Sequence, residues 1–239
     1  KYNTSKSILD AIRKCIRIVL SGLQGTSYPI SNSEKEGVLY FNFDLINKGT
    51  PEVFVYDNFS TGKIENLSTF IDSPKLQIIE GSILDTKFLL PLVKDSDYIF
   101  HLAAAVGVFN IVHNPLASLL TNIRGTENVL EAAHAHNTPV FLTSSSEVYG
   151  KNVSDSLKES DDRILGSPVT LRWSYSEAKA IDESLAFAYF VEKKLETRIV
   201  RFFNTVGPRQ LGAYGMVVPR FVKAALANEP ILIYGDGNQ

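Results

Sequence analysis

The chain has 239 residues, 44% of them hydrophobic, and a net charge of −2. That is enough to bury a sizeable core in one α/β domain, and it gives no general electrostatic footprint for nucleic acid or an anionic membrane. The single cysteine, Cys15, excludes an intrachain disulfide framework and fits a reducing, cytoplasmic compartment. No apolar run reaches membrane-spanning length, because the most hydrophobic region, Tyr98 to Val112, is interrupted by His101 and Asn110. The histidines at 101, 113, 134 and 136 do not stand with carboxylates or cysteine at metal-ligand spacing, so no metal is expected.

In chain order, a strand near 16–21 runs into Ser21-Gly22-Leu23-Gln24-Gly25. A helix near 34–48 follows, with Ser33 and Glu36 suited to a capping box and Gly49 to the C-terminal stop. A strand near 53–57 ends on Asp57-Asn58, and one near 76–79 leads through Gly81-Ser82-Ile83 to a helix near 85–93. The strand near 97–102 delivers Leu102, Ala103 and Ala104. In the helix near 115–135, Leu116, Leu119, Leu120, Ile123, Val129 and Leu130 make a core-facing side around Asn122. Asn122 either shapes an active-site region or is a polar group satisfied in a packing surface.

A strand near 139–144 then opens into Ser144-Ser145-Ser146-Glu147-Val148-Tyr149-Gly150, and a helix near 173–194 carries Tyr175 and Lys179. A strand near 197–202 precedes Phe203-Asn204, and a last helix begins at Pro219. With no repeat or linker in view, residues 1–239 read as one domain. Alternating strands and helices give a doubly wound parallel sheet, with ligands outside the carboxyl ends of its strands.

Ser145, Tyr175 and Lys179 bring a hydroxyl, a phenol and an ammonium together in that order. Taking a hydride from a sugar carbinol requires a base for the hydroxyl proton, and a tyrosine serves near neutral pH only when a cation lowers its pKa. Positions i and i+4 share a helix face, so Lys179 is expected beside Tyr175 and within reach of a cofactor ribose. Ser145 would hydrogen-bond the same substrate oxygen. Tyr-x-x-x-Lys alone arises by chance in a chain with 10 tyrosines. Its weight comes from the strand ending in serines before it and the strand after it.

Six ordered segments carry a family resemblance: Val53 to Gly62, Phe100 to Ala104, Thr121 to Asn128, the two stretches just described, Arg201 to Arg209, and Tyr234 to Gln239. From about Glu52 to Gln239 the chain resembles the extended short-chain dehydrogenase/reductase family, specifically its NAD-dependent nucleotide-sugar epimerases, dehydratases and decarboxylases. The resemblance implies a Rossmann-like sheet, NAD as cofactor, a UDP-sugar substrate, and a homodimer paired through helices like 115–135 and 173–194. For the cofactor it implies Gly22, Gly25, Asp57, Asn58, Ser82, Ile83, Leu102, Ala103, Ala104 and Asn122, with Tyr175 and Lys179. For the substrate it implies Ser145 and Ser146, Asn204 at the diphosphate, and Val217 and Arg220 near the uridine. Ser145, Tyr175, Lys179 and Glu147 would carry the catalysis.

The chain departs from the family in three places. Tyr28 stands where a third glycine normally lets the first helix pack on the sheet, and Ser82 replaces an aspartate for the adenine amino group. The first departure leaves three readings: divergence with the cofactor still held, loss of cofactor binding, or a corrupted stretch of sequence. The family's Tyr234-to-Gln239 segment also continues into further substrate-domain structure, so part of the nucleotide-sugar pocket is expected beyond Gln239.

Members of the family first oxidise the sugar C4 hydroxyl to a ketone. Dehydratases then use an Asp-Glu pair where this chain has Ser146-Glu147, which disfavours dehydration. Ser-Glu-Val-Tyr-Gly resembles the UDP-glucuronate decarboxylases, whose 4-keto intermediate is a β-keto acid that sheds carbon dioxide. A UDP-sugar 4-epimerase shares the same oxidation. The alternative is a degenerate or truncated member that binds a nucleotide sugar or a partner without turnover.

Overall fold

The computed structural model describes residues 18–21, 52–205, 217–233 and 235–236. Cys15, the loop with Gly22, Gly25 and Tyr28, and the helix expected near 34–48 lie outside them. Six strands, β1 (Ile18–Ser21), β2 (Val53–Asp57), β3 (Leu76–Glu80), β4 (Ile99–Leu102), β5 (Val140–Ser145) and β6 (Thr197–Phe202), form one sheet. Its order is β3-β2-β1-β4-β5-β6 and every pairing is parallel. The order reverses between β1 and β4, where Ser21 pairs with Leu102. A crevice at such a reversal is where doubly wound sheets bind ligands.

The strands are apolar because both faces of the sheet are covered. Successive side chains point to opposite faces, so neighbours on one strand enter different cores. Ile99, Val140 and Leu142 join Tyr56, Ile83, Leu89, Val129 and Leu130 on one side. Phe100 joins Val53, Val55, Leu67, Phe70 and Tyr98 on the other. Phe100 also packs against Phe141 of β5, ring centres 5.4 Å apart, which ties β4 and β5 together within that second layer.

The helices are α1 (Thr86–Lys94), α2 (Val108–His113), α3 (Pro115–His136), α4 (Ser174–Lys193) and α5 (Val217–Leu226). Asp85 caps α1 by accepting the Lys87 amide at 3.1 Å. Pro115 opens α3, where its missing N–H costs nothing, and left-handed Asn137 closes it. His134 and His136 sit in the last turn of α3, a favourable end for basic groups.

The boundaries depart from expectation in a few places. α2 was not foreseen, and Leu116, expected to face the core, is 68% exposed. α5 begins at Val217, not Pro219, which places the proline within the first turn, where amide donors have no intrahelical partner anyway. Among the described residues, no helix is long and apolar enough to cross a membrane, and no group of three or more His, Cys, Asp or Glu could hold a metal ion.

Candidate active site

β5 ends in a turn whose backbone is held from several sides. Ser145 Oγ accepts the Glu147 amide at 3.3 Å and so caps the short 3-10 helix Ser146–Tyr149. Gly150 closes that helix at a φ of 64°, and a Cβ there would lie 2.3 Å from the Ile164 carbonyl oxygen, so only glycine fits. The Ser176 hydroxyl donates to the Glu147 carbonyl at 2.6 Å, and Arg163 Nε donates to the Val148 carbonyl at 3.2 Å. These bonds fix the turn against the start of α4.

The result is the juxtaposition expected from the sequence. Tyr175, half-buried in the first turn of α4, lies beside the Ser145 hydroxyl. Burial raises the Tyr175 pKa above its ordinary value, the Asp182 and Glu147 carboxylates add to this, and the nearby Ser145 hydroxyl opposes it. Lys179, expected beside Tyr175, follows it one helical turn on. Its Nζ donates to Asp182 Oδ2 at 3.2 Å, with both side chains buried, so a carboxylate balances its charge.

Around this centre stand two further ion pairs. Arg201 of β6 forms a two-pronged pair with Glu183 of α4, at 2.9 and 2.7 Å, and stacks on Tyr149 with 4.7 Å to the ring centre. Burial pushes the Glu183 carboxyl up, but the Arg201 bonds and charge outweigh it and hold the group below its usual range. The Arg172 guanidinium lies over the Trp173 ring at 4.5 Å and reaches Glu147 Oε2 at 3.6 Å. Both partners of this second pair are about half exposed, so it orients Glu147 and contributes little stability. Ser146, next to Glu147, is half-buried.

The crevice side carries the expected cofactor residues with differing freedom. Asp57 is buried at the carboxyl end of β2 and accepts the Phe59 amide on Oδ1 at 2.7 Å, while Asn58 accepts the Ser60 amide at 3.1 Å. Leu102, Ala103 and Ala104 are half-buried at the end of β4. Asn122 is fully engaged with Ala105, accepting its amide at 2.6 Å and donating to its carbonyl at 3.2 Å. It therefore shapes the loop after β4 through its packing position.

Ile83 sends its side chain into the core against Gly125, and its carbonyl accepts Asn128 Nδ2 at 2.9 Å. Ser82 Oγ accepts the Leu84 amide at 3.2 Å. These two residues shape the rim of the crevice through their own turn. Asn204 is exposed just after β6, and Val217 and Arg220 are exposed on the first turn of α5. Gly22 and Gly25 fall outside the described residues.

The donor set suits a dinucleotide. The buried carboxylate of Asp57 ends the strand beside β1, where such a group accepts bonds from a ribose diol, and the small residues after β4 leave room for a ring. Residues that sequence reasoning passed over are Asp182, the Glu183–Arg201 pair and Arg172. Their signal was present in charged residues at helical spacing beside Tyr175 and an arginine inside a strand.

Residues 44–239 match the NAD dependent epimerase/dehydratase family. A UDP-N-acetyl-α-D-glucosaminuronate decarboxylase from Bacillus cytotoxicus is 40% identical over 197 residues, 82% of this chain and 60% of its own length. UDP-glucuronic acid decarboxylase 1 of Arabidopsis thaliana is 35% identical over 227 residues, 95% of this chain and 48% of its own. The chain thus spans about half of the length of the curated relatives it matches.

Among solved structures, a UDP-N-acetylglucosamine 4-epimerase from Methanobrevibacter ruminantium, in complex with UDP-N-acetylmuramic acid, superposes with a TM-score of 0.78 at 33% identity, covering 95% of this chain and 67% of that one. A dTDP-glucose 4,6-dehydratase from Streptomyces venezuelae with NAD bound gives 0.78 at 28% identity, covering 93% and 66%.

Proposed function

Because this chain belongs to the NAD dependent epimerase/dehydratase family, we propose that the protein oxidises the C4 hydroxyl of a UDP-hexuronate and releases carbon dioxide from the 4-keto acid so formed. The observation that carries this reading is the placement of the Ser145 hydroxyl, at the carboxyl end of β5, near enough to Tyr175 to favour its phenolate, with Lys179 one helical turn further along α4. Bound NAD supplies the oxidising half, accepting the hydrogen and electron pair that leave C4. Asp57 holds the adenosine ribose and disfavours an extra phosphate there, which selects NAD over NADP. Tyr175 takes the hydroxyl proton, and Ser145 hydrogen-bonds the oxygen as it becomes a carbonyl.

Once the ketone exists at C4, the carboxylate on C5 is a β-keto acid. The carbon–carbon bond breaks, carbon dioxide leaves, and the electron pair passes into the enolate of the C4 carbonyl. A proton must then return to C5, and a hydride and a proton to the C4 carbonyl, which restores the hydroxyl and leaves a UDP-pentose lighter than the substrate by carbon dioxide alone. We assign the proton return at C5 to the Glu147 carboxyl; its ion pair with Arg172, which holds it at the turn, supports this reading. Relatives that act on UDP-uronic acids favour decarboxylation. The 4-epimerase that superposes on the chain supports the second reading, in which the ketone turns over and is reduced from its other face.

The sequence's single cysteine fits a reducing, cytoplasmic setting. A homodimer is supported by the apolar side of α4, where Phe187 is 63% and Phe190 51% exposed, with Val191 beside them. Light scattering of the full-length protein should give twice the chain mass, and a monomer at micromolar concentration would remove the dimer.

The reaction is tested by giving the full-length protein UDP-glucuronate, or its 2-acetamido analogue, with NAD and weighing the product. A nucleotide sugar lighter by carbon dioxide is expected. An isomer of unchanged mass would replace this reading with epimerisation, and a product lighter by water would overturn both.

A further inference from the structure

Asp182 is a buried charged group that the chemistry above does not use. It is 0% exposed, and its Oδ2 lies 3.2 Å from the Nζ of Lys179, itself 2% exposed. Tyr175, Lys179 and Asp182 fall at i, i+4 and i+7, so they form one stripe down the inner side of α4.

Every element packed against the stripe adds a group. From β4, His101 is held neutral, its pKa pushed down to about 3 by burial and by Lys179, and its Nε2 pairs with Thr126 Oγ1 of α3 at 2.9 Å. Burial raises the Asp182 pKa above its ordinary value, while the Lys179 ammonium, and after it the nearby Thr126 hydroxyl, favour its carboxylate; Asp182 Oδ1 makes no hydrogen bond of good geometry. Glu147 faces Tyr175 from the turn after β5, beside Ser145. Glu183, next to Asp182, is bound by Arg201 of β6 and faces Arg163. The carboxylate in contact with Lys179 is Asp182.

Resting on the proposed oxidation at C4, we propose that Asp182 is a positioning residue for Lys179. It holds the ammonium in a buried ion pair at the foot of the stripe, and thereby withholds part of that charge from the Tyr175 phenol. Two effects then act on the base in the same direction. Asp182 draws Lys179 one turn down the helix, away from the tyrosine, and its own negative charge opposes phenolate formation. The tyrosine of this protein therefore becomes a base at higher pH than the same residue would beside an unbalanced lysine.

The test uses the full-length enzyme. In Asp182→Asn, which keeps the shape and an acceptor for Lys179 without the charge, the acid limb of the kcat profile should move to lower pH. Activity well below the midpoint should rise about tenfold while NAD affinity stays within a few-fold. A limb that stays in place, or moves to higher pH, in a folded and NAD-binding Asp182→Asn protein would overturn the proposal.

A second measurement does not depend on turnover. Lys179→Met leaves a buried carboxylate without its partner and Asp182→Leu leaves a buried ammonium, so each should lower the Tm. The double variant Lys179→Met/Asp182→Leu should recover most of both losses. Additive losses would show that the two groups do not act as a pair, whether or not Asp182→Asn folds. Absence of turnover in the wild-type protein with every UDP-hexuronate would refute the proposed reaction. The melting cycle would still decide the pairing.

Discussion

Gly125 of α3 sits against Ile83 so closely that a Cβ placed on it would lie 2.3 Å from Ile83 Cδ1 and 2.8 Å from Cγ1. In an exposed helix, Gly→Ala would gain about 1 kcal/mol from lower backbone entropy in the unfolded chain. Here Ile83 is only 5% exposed and packs within the larger core, so it has no open space to swing into. Overpacking of this kind costs about 1–3 kcal/mol. The two terms leave Gly125→Ala less stable by about 1 kcal/mol, a fall of about 2–4 °C in Tm for a chain of this size.

Ile83→Val removes Cδ1, the nearer of the two atoms that meet the new methyl, and by itself costs about 0.5–1.5 kcal/mol. Combined with Gly125→Ala it should cost less than the sum of the two single losses, with a coupling of about 1 kcal/mol. Thermal melts of the four proteins by circular dichroism read this directly. A Gly125→Ala protein more stable than wild type, or strictly additive losses, would refute the packing argument. The contact matters for function because the Ile83 carbonyl, held by Asn128 on the same helix, fixes the rim beside the expected adenine site.

Asp57→Ala should weaken NAD binding about tenfold through the lost charged acceptor, and narrow the preference over NADP. Calorimetry with both nucleotides checks this, and an unchanged NAD affinity would remove Asp57 from the ribose. His101 has a folded pKa of about 3 against an ordinary 6.5, so the folded state binds fewer protons than the unfolded chain between those values. Its contribution is fully present above about pH 6.5 and is lost as pH falls toward 3. Urea denaturation from pH 7 to pH 4 should show stability falling with acid, and His101→Gln should flatten that slope.

Much of the frame could be read from the sequence because parallel strands covered on both faces are written as short apolar runs. β2 and β6 carry the expected bounds, β3 and β4 differ by one or two residues at one end, β5 is shifted by one residue at both, and β1 ends at Ser21 as expected. α2 was hidden because its six residues continue the apolar run that begins at β4, and a helix so short completes fewer than two turns of periodicity. The serine, tyrosine and lysine were legible from their order and setting.

The buried partner of that lysine was not. A lysine at i+4 lowers a phenol only if nothing nearer balances it, and Asp182 at i+7 reads in sequence like any acidic residue on a solvated face. Its burial follows from small neighbours, Ala178 and Ala186, on the inner side of α4. Asn122 was legible as a polar residue in an apolar helix, but its use on the Ala105 backbone depends on where the loop after β4 passes.

The most direct test of the whole account is single-turnover mixing of full-length, NAD-loaded protein with UDP-glucuronate, followed at the absorbance of the reduced nicotinamide. Wild type should show the signal appear. Tyr175→Phe, folded and binding NAD as tightly as wild type, should show none on the same timescale. A Tyr175→Phe protein that reduces its bound NAD at the wild-type rate would contradict the assignment of the phenol as base, and with it the reading of the site built around Ser145 and Lys179.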